Sequence, residues 1–219
     1  LFCKTSQMPN IKELHSLYAL RKPRIQARLE EFSILINESD LRIFEELCFC
    51  ILTANSSAKS GIKAIIHIGP LLLNGAKEQI SNALIQANYR FPNKRAEYIL
   101  DARQFIKTNL NFQIKQKIAS FTDKESLRDY FAENIKGLGY KESSHFLRNI
   151  GLKGYCILDK HIVNTLLEFN ILSNNNAPKN KKQYLEIESK MKDFAHTLNI
   201  PIDELDLLLW SRKTGEILK

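Results

Sequence analysis

The stretch Ile135-Lys136-Gly137-Leu138-Gly139-Tyr140-Lys141 decides how this chain is read. It lies between two helical patterns, residues 124–135 and 141–150. Two glycines flanking one apolar residue predict a tight turn that β-carbons would block. Leu138 can point inward and pin that turn. Backbone N–H groups then face outward at the start of the next helix, where unpaired donors and positive potential suit a phosphate. Backbone contacts of this kind position DNA without reading its sequence. An ordinary helix–turn–helix connection with a glycine cap has the same pattern, so the glycine pair alone leaves both readings open. Two neighbours add information. Lys141 directly follows the turn, and eighteen positions on comes Leu158-Asp159-Lys160-His161-Ile162, where Asp159 opens an apolar helix and suits its N-cap.

Outward from this turn the apolar period is helical almost everywhere. Phe44, Leu47, Cys48, Ile51 and Leu52 share one helix face. Tyr184, Ile187, Met191, Phe194 and Leu198 mark a second, and Ile162, Val163, Leu166 and Leu167 a third. Thr122 with Glu125 predicts a capping box opening the helix that ends near Ile135. Pro201 fits the first turn of the last helix. No hairpin or alternating strand pair stands out, and the polar run from Ser173 to Lys182 reads as a surface loop. The expected class is all-α, with about ten helices.

The chain has 219 residues, 44% of them hydrophobic, enough for one large domain or two small ones. No apolar run approaches the roughly 20 residues that cross a bilayer. No secretory signal is apparent at the first residues, and an intracellular setting, cytoplasmic or nucleoid-associated, is expected. The net charge of +8 suits an anionic partner, most simply nucleic acid. Of the four cysteines, Cys3, Cys48, Cys50 and Cys156, none belongs to a second pair or a cysteine/histidine cluster at zinc spacing, and no four-cysteine iron–sulfur run exists. They read as buried or partly buried free thiols, with no catalytic metal.

Gly137-Leu138-Gly139-Tyr140-Lys141 followed by Asp159-Lys160-His161-Ile162 resembles the helix–hairpin–helix DNA glycosylase superfamily. Further stretches narrow the resemblance to the type-2 8-oxoguanine DNA glycosylases. These are Cys48-Phe49-Cys50-Ile51-Leu52-Thr53-Ala54-Asn55, Arg90-Phe91-Pro92-Asn93-Lys94-Arg95-Ala96-Glu97-Tyr98-Ile99, Tyr140-Lys141-Glu142-Ser143-Ser144-His145-Phe146-Leu147-Arg148-Asn149, and Trp210 to Lys219. The resemblance runs over residues 32–219, is variable near 109–123, and is less clear over the first thirty residues.

It implies a bifunctional DNA glycosylase and AP lyase acting on double-stranded DNA that contains 8-oxoguanine, as a monomer and without a cofactor. Lys141 would attack C1′ of a nucleotide rotated out of the duplex, and Asp159 would stabilise the positive charge developing on the sugar. A protonated lysine cannot attack, so its pKa must fall or its proton must be removed; burial behind the extruded nucleotide and nearby positive charge would both lower it. The resulting iminium permits β-elimination. Asn55 would pair with the orphaned base and Phe91 would wedge into the stack, while Gly137 and Gly139 would face phosphate. Trp210 would stack on the extruded base, and the carboxylate of Lys219 would accept from its Watson–Crick edge. Carbonyls near Lys136, Leu138 and Tyr140 would hold a structural monovalent cation. His161 reads as a structural histidine.

Two helical subdomains with a DNA-binding cleft between them are expected. Residues 39–154 would form a helical barrel containing the helix–hairpin–helix, about 124–150, and residues 1–38 with 155–219 the other half. Lys141 and Asp159 would meet in the cleft. Two rivals stay open: the same scaffold acting on another damaged or mismatched base, and a non-catalytic helix–hairpin–helix module that only binds DNA.

Overall fold

A computed structural model describes residues 10–219. Cys3 lies outside the described residues. Among them are eleven α-helices, one short 3-10 turn and no strand. By packing, they fall into two compact units.

The first unit contains the hairpin and comprises Glu31–Lys153 with Lys219. Its centre is α2 (Asp40–Thr53), opened by Ser39, whose side chain accepts from the Arg42 N–H. Every residue of α2 from Ile43 to Thr53 except Glu45 is buried. Around it pack α3 (Ala58–Ile68), α5 (Pro92–Leu110), α6 (Ile114–Ala119) and α8 (Tyr140–Asn149). α4 (Lys77–Gln86) lies against α3 and α5, and α7 (Lys124–Asn134) against α8. Phe131 of α7 meets Phe146 of α8 edge-on, with ring centroids 5.0 Å apart. Cys48 and Cys50 are free and fully buried, and burial pushes both thiols well above their ordinary pKa. They are core hydrophobes here rather than nucleophiles.

The second unit holds the described residues up to Glu30 together with Gly154–Leu218. α11 (Ile202–Thr214) packs on α9 (Lys160–Glu168) and α10 (Lys181–Leu198). The first part of α1 (Ile11–Leu35) is tied to α11 by polar contacts. Tyr18 donates to Glu204 at 2.7 Å and Arg21 to the Ser211 hydroxyl at 2.9 Å. Burial and the neighbouring Glu204 carboxylate push the Tyr18 phenol up to about 12.

Two boundary expectations are corrected. The cap of α7 is Asp123, not Thr122: its extended backbone directly precedes the helix, and its Oδ1 accepts from the Ser126 N–H at 2.8 Å. Pro201 is the N-cap of α11 rather than its first turn, because its ψ of 139° is extended.

Candidate active site

The hairpin joins α7 to α8. Leu138 is buried, and its N–H donates to the Ile135 carbonyl at 3.0 Å, so the apolar residue pins the turn as its position suggested. The two glycines differ in their reasons. Gly137 has φ +94°, and a β-carbon there would lie 2.7 Å from Cδ2 of Tyr98. Gly139 does not need to be glycine for its backbone: φ is −94°, and a β-carbon would meet only Glu142 Oε2 at 3.3 Å. The sequence expectation that β-carbons block both positions thus holds at Gly137 alone.

Gly139 is the N-cap of α8, and Lys141 sits in the first turn. The Lys141 side chain is 29% exposed, and its Nζ lies 2.8 Å from Glu142 Oε1. The other oxygen of that carboxylate accepts from the Gly139 N–H at 3.3 Å. One carboxylate therefore touches both the hairpin backbone and the lysine. Its role was missed in the sequence, although a Glu three residues after the cap is a known capping signal.

α5 fastens the hairpin to the other predicted DNA contacts. Tyr98 packs on Gly137, and the Arg95 guanidinium lies 5.5 Å from the centre of the Tyr98 ring. Buried Arg95 also donates to the Ala54 carbonyl, and the Tyr89 hydroxyl donates to that of Leu52. Both bonds grip the turn that carries Asn55. Asn55 itself is exposed in the left-handed region, with φ 59°, so its amide is free of helix constraints. Phe91 is the N-cap of α5 and 38% exposed, with the Arg90 guanidinium 4.9 Å from its ring centre. An aromatic ring left in solvent at a helix start is not core packing.

Lys219 is not a frayed end. Its Nζ donates to Glu46 Oε2 at 2.6 Å and lies 4.3 Å from the Phe49 ring centre. Glu46 is only 1% exposed and takes its second bond from Asn149 at 2.7 Å. The backbone of Lys219 bonds His145, which burial and the cations Arg148, Lys141 and Lys219 push well below its ordinary pKa. His145 is therefore neutral near pH 7. Below about 6.5 the unfolded chain takes up a proton that the folded chain refuses, so stability is lost as pH falls from there towards the depressed folded value. Unfolding midpoints across pH 7 to 5 should decline with a contribution of up to about 1.4 kcal/mol per pH unit. His145→Asn should flatten that decline; an unchanged slope would contradict the assignment.

In the second unit Asp159 is the N-cap of α9, with Oδ1 accepting from the Ile162 N–H at 2.8 Å. The irregular run before it has several of its backbone groups taken up by side chains. Gly154 N–H donates to Asp203 at 2.8 Å, Cys156 N–H to Glu188 at 3.1 Å and Ile157 N–H to Asp206 at 2.9 Å. Tyr184 donates to the Cys156 carbonyl at 2.6 Å. These acidic residues fix the approach to Asp159, and no local pattern announced them. Trp210 is half-buried within an otherwise buried stretch of α11. His161 is exposed. Lys141, Gly137, Gly139, Asn55, Phe91 and Lys219 thus belong to the hairpin unit, and Asp159 and Trp210 to the other.

An all-helical fold whose hairpin presents a lysine at the next helix start defines a helix–hairpin–helix protein. Comparison with known proteins makes that assignment specific. Residues 25–200 match the family described as 8-oxoguanine DNA glycosylase, and the chain belongs to that family. It is 40% identical over 198 residues to the 8-oxoguanine DNA glycosylase/AP lyase of Methanocaldococcus jannaschii, covering 90% of this chain and 93% of that protein. The enzyme of the same description from Fusobacterium nucleatum is 35% identical, with 94% and 96% covered. The crystal structure of the M. jannaschii 8-oxoguanine glycosylase/lyase with a 15mer DNA containing 8-oxoguanine superposes with a TM-score of 0.88 at 39% identity, covering 95% of this chain and 99% of that one. Among the described residues no helix is long and apolar enough to cross a membrane.

Proposed function

We propose that this chain excises 8-oxoguanine from double-stranded DNA and then cleaves the strand, with Lys141 as nucleophile and Asp159 as its carboxylate partner. The observation that carries the reading is Lys141 itself: a partly exposed amine in the first turn after the hairpin, where binding DNA alone would need none. The hairpin approaches the phosphate backbone, Asn55 fills the place of the extruded nucleotide, and Phe91 separates its neighbours. Lys141 Nζ attacks C1′, and the base leaves with the electron pair of the glycosidic bond. Asp159 faces the positive charge on the sugar. The C1′–O4′ bond opens with its electron pair and a proton going to O4′, which gives the iminium. Loss of a proton from C2′ to solvent then breaks the C3′–O bond, with its electrons leaving on the phosphate oxygen.

Trp210 stacks on the extruded base, and Lys219 lies at its Watson–Crick edge. The lesion differs from guanine by a donor at N7, so a single acceptor separates the two by about 1–3 kcal/mol. The chemistry needs no cofactor. A monovalent cation at the hairpin carbonyls would only steady the turn; that of Tyr140 already accepts from the Ser144 hydroxyl at 2.9 Å. The protein acts as a monomer inside the cell, at the nucleoid.

Nicking of duplexes carrying 8-oxoguanine opposite cytosine, thymine glycol, or no lesion tests the substrate. Preference for 8-oxoguanine is expected; preference for thymine glycol would assign the scaffold to oxidised pyrimidines. Glu46→Gln offers a finer check, since it loosens the Lys219 anchor. Misplacing a recognition group by about 1 Å costs roughly 100-fold. Excision of 8-oxoguanine should fall by about that factor, while cleavage of a preformed abasic site, which has no base to recognise, stays near wild type. Equal loss of both would remove Lys219 from base recognition.

A further inference from the structure

Attack by Lys141 requires an amine without its extra proton, and Asp159 is assigned to the sugar cation, so the group that takes the proton is still open. We propose that Glu142 is the catalytic proton acceptor for Lys141. The inference rests on Lys141 being the nucleophile.

The geometry is unusual for neighbours on a helix. Residues i and i+1 point about 100° apart and do not share a face. An ion pair between them needs a cause that turns one side chain towards the other. Here the hairpin supplies it. Glu142 is drawn back over the helix start because Oε2 accepts from the Gly139 N–H at 3.3 Å. That bond holds Oε2 and leaves Oε1 2.8 Å from Lys141 Nζ. The Glu142 side chain is 14% exposed and that of Lys141 29%, so the pair keeps an opening to the solvent that finally takes the proton. A carboxylate anchored through one oxygen and aimed through the other is preorganised for proton transfer, which needs hydrogen-bond distance before anything else.

Two other groups of this unit, Glu46 and His145, are already engaged. Glu46 of α2 is already paired with Lys219 at 2.6 Å, and His145 of α8 is held neutral by burial, with the cations Arg148, Lys141 and Lys219 opposing its protonation. The step balances simply. A proton moves from Nζ to Glu142 Oε1, and the freed lone pair forms the Nζ–C1′ bond. The C1′–N9 bond breaks with its electrons going to the base, which is protonated by water. Glu142 returns its proton to solvent after the base has left.

The test is the pH profile of single-turnover excision by Glu142→Gln. Glutamine at this position still accepts from the Gly139 N–H, so the cap and the melting temperature should be kept. It cannot take a proton. The rate at pH 7 should fall by about 100-fold. It should recover by about tenfold per pH unit towards pH 9, as solvent hydroxide takes over deprotonation. Glu142→Asp, which keeps the acid but shortens its reach, should fall in between at pH 7. A wild-type rate in Glu142→Gln, or an equal loss at every pH, would overturn the proposal. If Lys141→Gln also excised the base with strand cleavage, the nucleophile assignment itself would fail. Loss in Lys141→Gln with a wild-type profile in Glu142→Gln would sink the proton acceptor alone.

Discussion

Lys141→Gln is expected to abolish coupled excision and strand cleavage, by about 10⁴-fold or more in single turnover, while duplex binding changes little. Removing a nucleophile removes the covalent route altogether, which is why such losses exceed those of any positioning residue. Glutamine keeps length and hydrogen bonding but has no basic nitrogen. Lys141 is one of many cations on a chain of charge +8, so its share of phosphate attraction is small. The folded state should also survive, because the side chain is partly exposed and its ion pair with Glu142 is a near-surface one. Rapid-quench kinetics and a binding titration on the same duplex separate the two effects. Weak binding with normal chemistry once bound would mean that Lys141 only contacts phosphate.

The second large effect is expected at Gly137. Its left-handed φ of +94° is costly for any L side chain, and an added β-carbon would lie 2.7 Å from the Tyr98 ring. Gly137→Ala should lower stability by about 2–4 kcal/mol. The consequence should reach beyond stability. Tyr98 lies under Arg95, and Arg95 holds the Ala54 carbonyl beside Asn55, so moving Tyr98 disturbs the hairpin and the Asn55 turn together. Chemical denaturation and duplex affinity should both report it. Gly139→Ala is the internal control: with φ −94° and only a flexible carboxylate oxygen nearby, it should cost far less. Equal losses at the two glycines would refute this account of the turn.

Much of the site could be read directly from the chain because it is local. Gly137 to Lys141 is one turn followed by one helix start, and Asp159 is a cap before an apolar run; both rest on contacts a few residues apart. The apolar period of α9 and α10 is equally plain, and so is that of α2, although packing buries nearly all of that helix. What stayed hidden depends on distance or on the absence of a period. α1 carries Pro23 and little amphipathic pattern, so its 25 residues gave no helical signal. α11 buries nearly every residue from Glu204 to Ser211, and a helix buried on all sides has no stripe to detect, so only Pro201 announces it. The brackets around Asp159 join Asp203, Asp206 and Glu188 to backbone N–H groups more than thirty residues away, and the Glu46–Lys219 pair spans 173 positions. Glu142 escaped for a different reason. A capping glutamate and a proton acceptor look identical in sequence, and only the place of its second oxygen tells them apart.

The central claim is that a bond forms between one named nitrogen and the deoxyribose of a damaged nucleotide. Borohydride reduction during turnover on an 8-oxoguanine duplex freezes that bond, and peptide mass mapping of the adduct locates it. The sugar remnant should sit on Lys141. Its appearance on a different lysine, or efficient strand cleavage with no adduct at all, would contradict the mechanism.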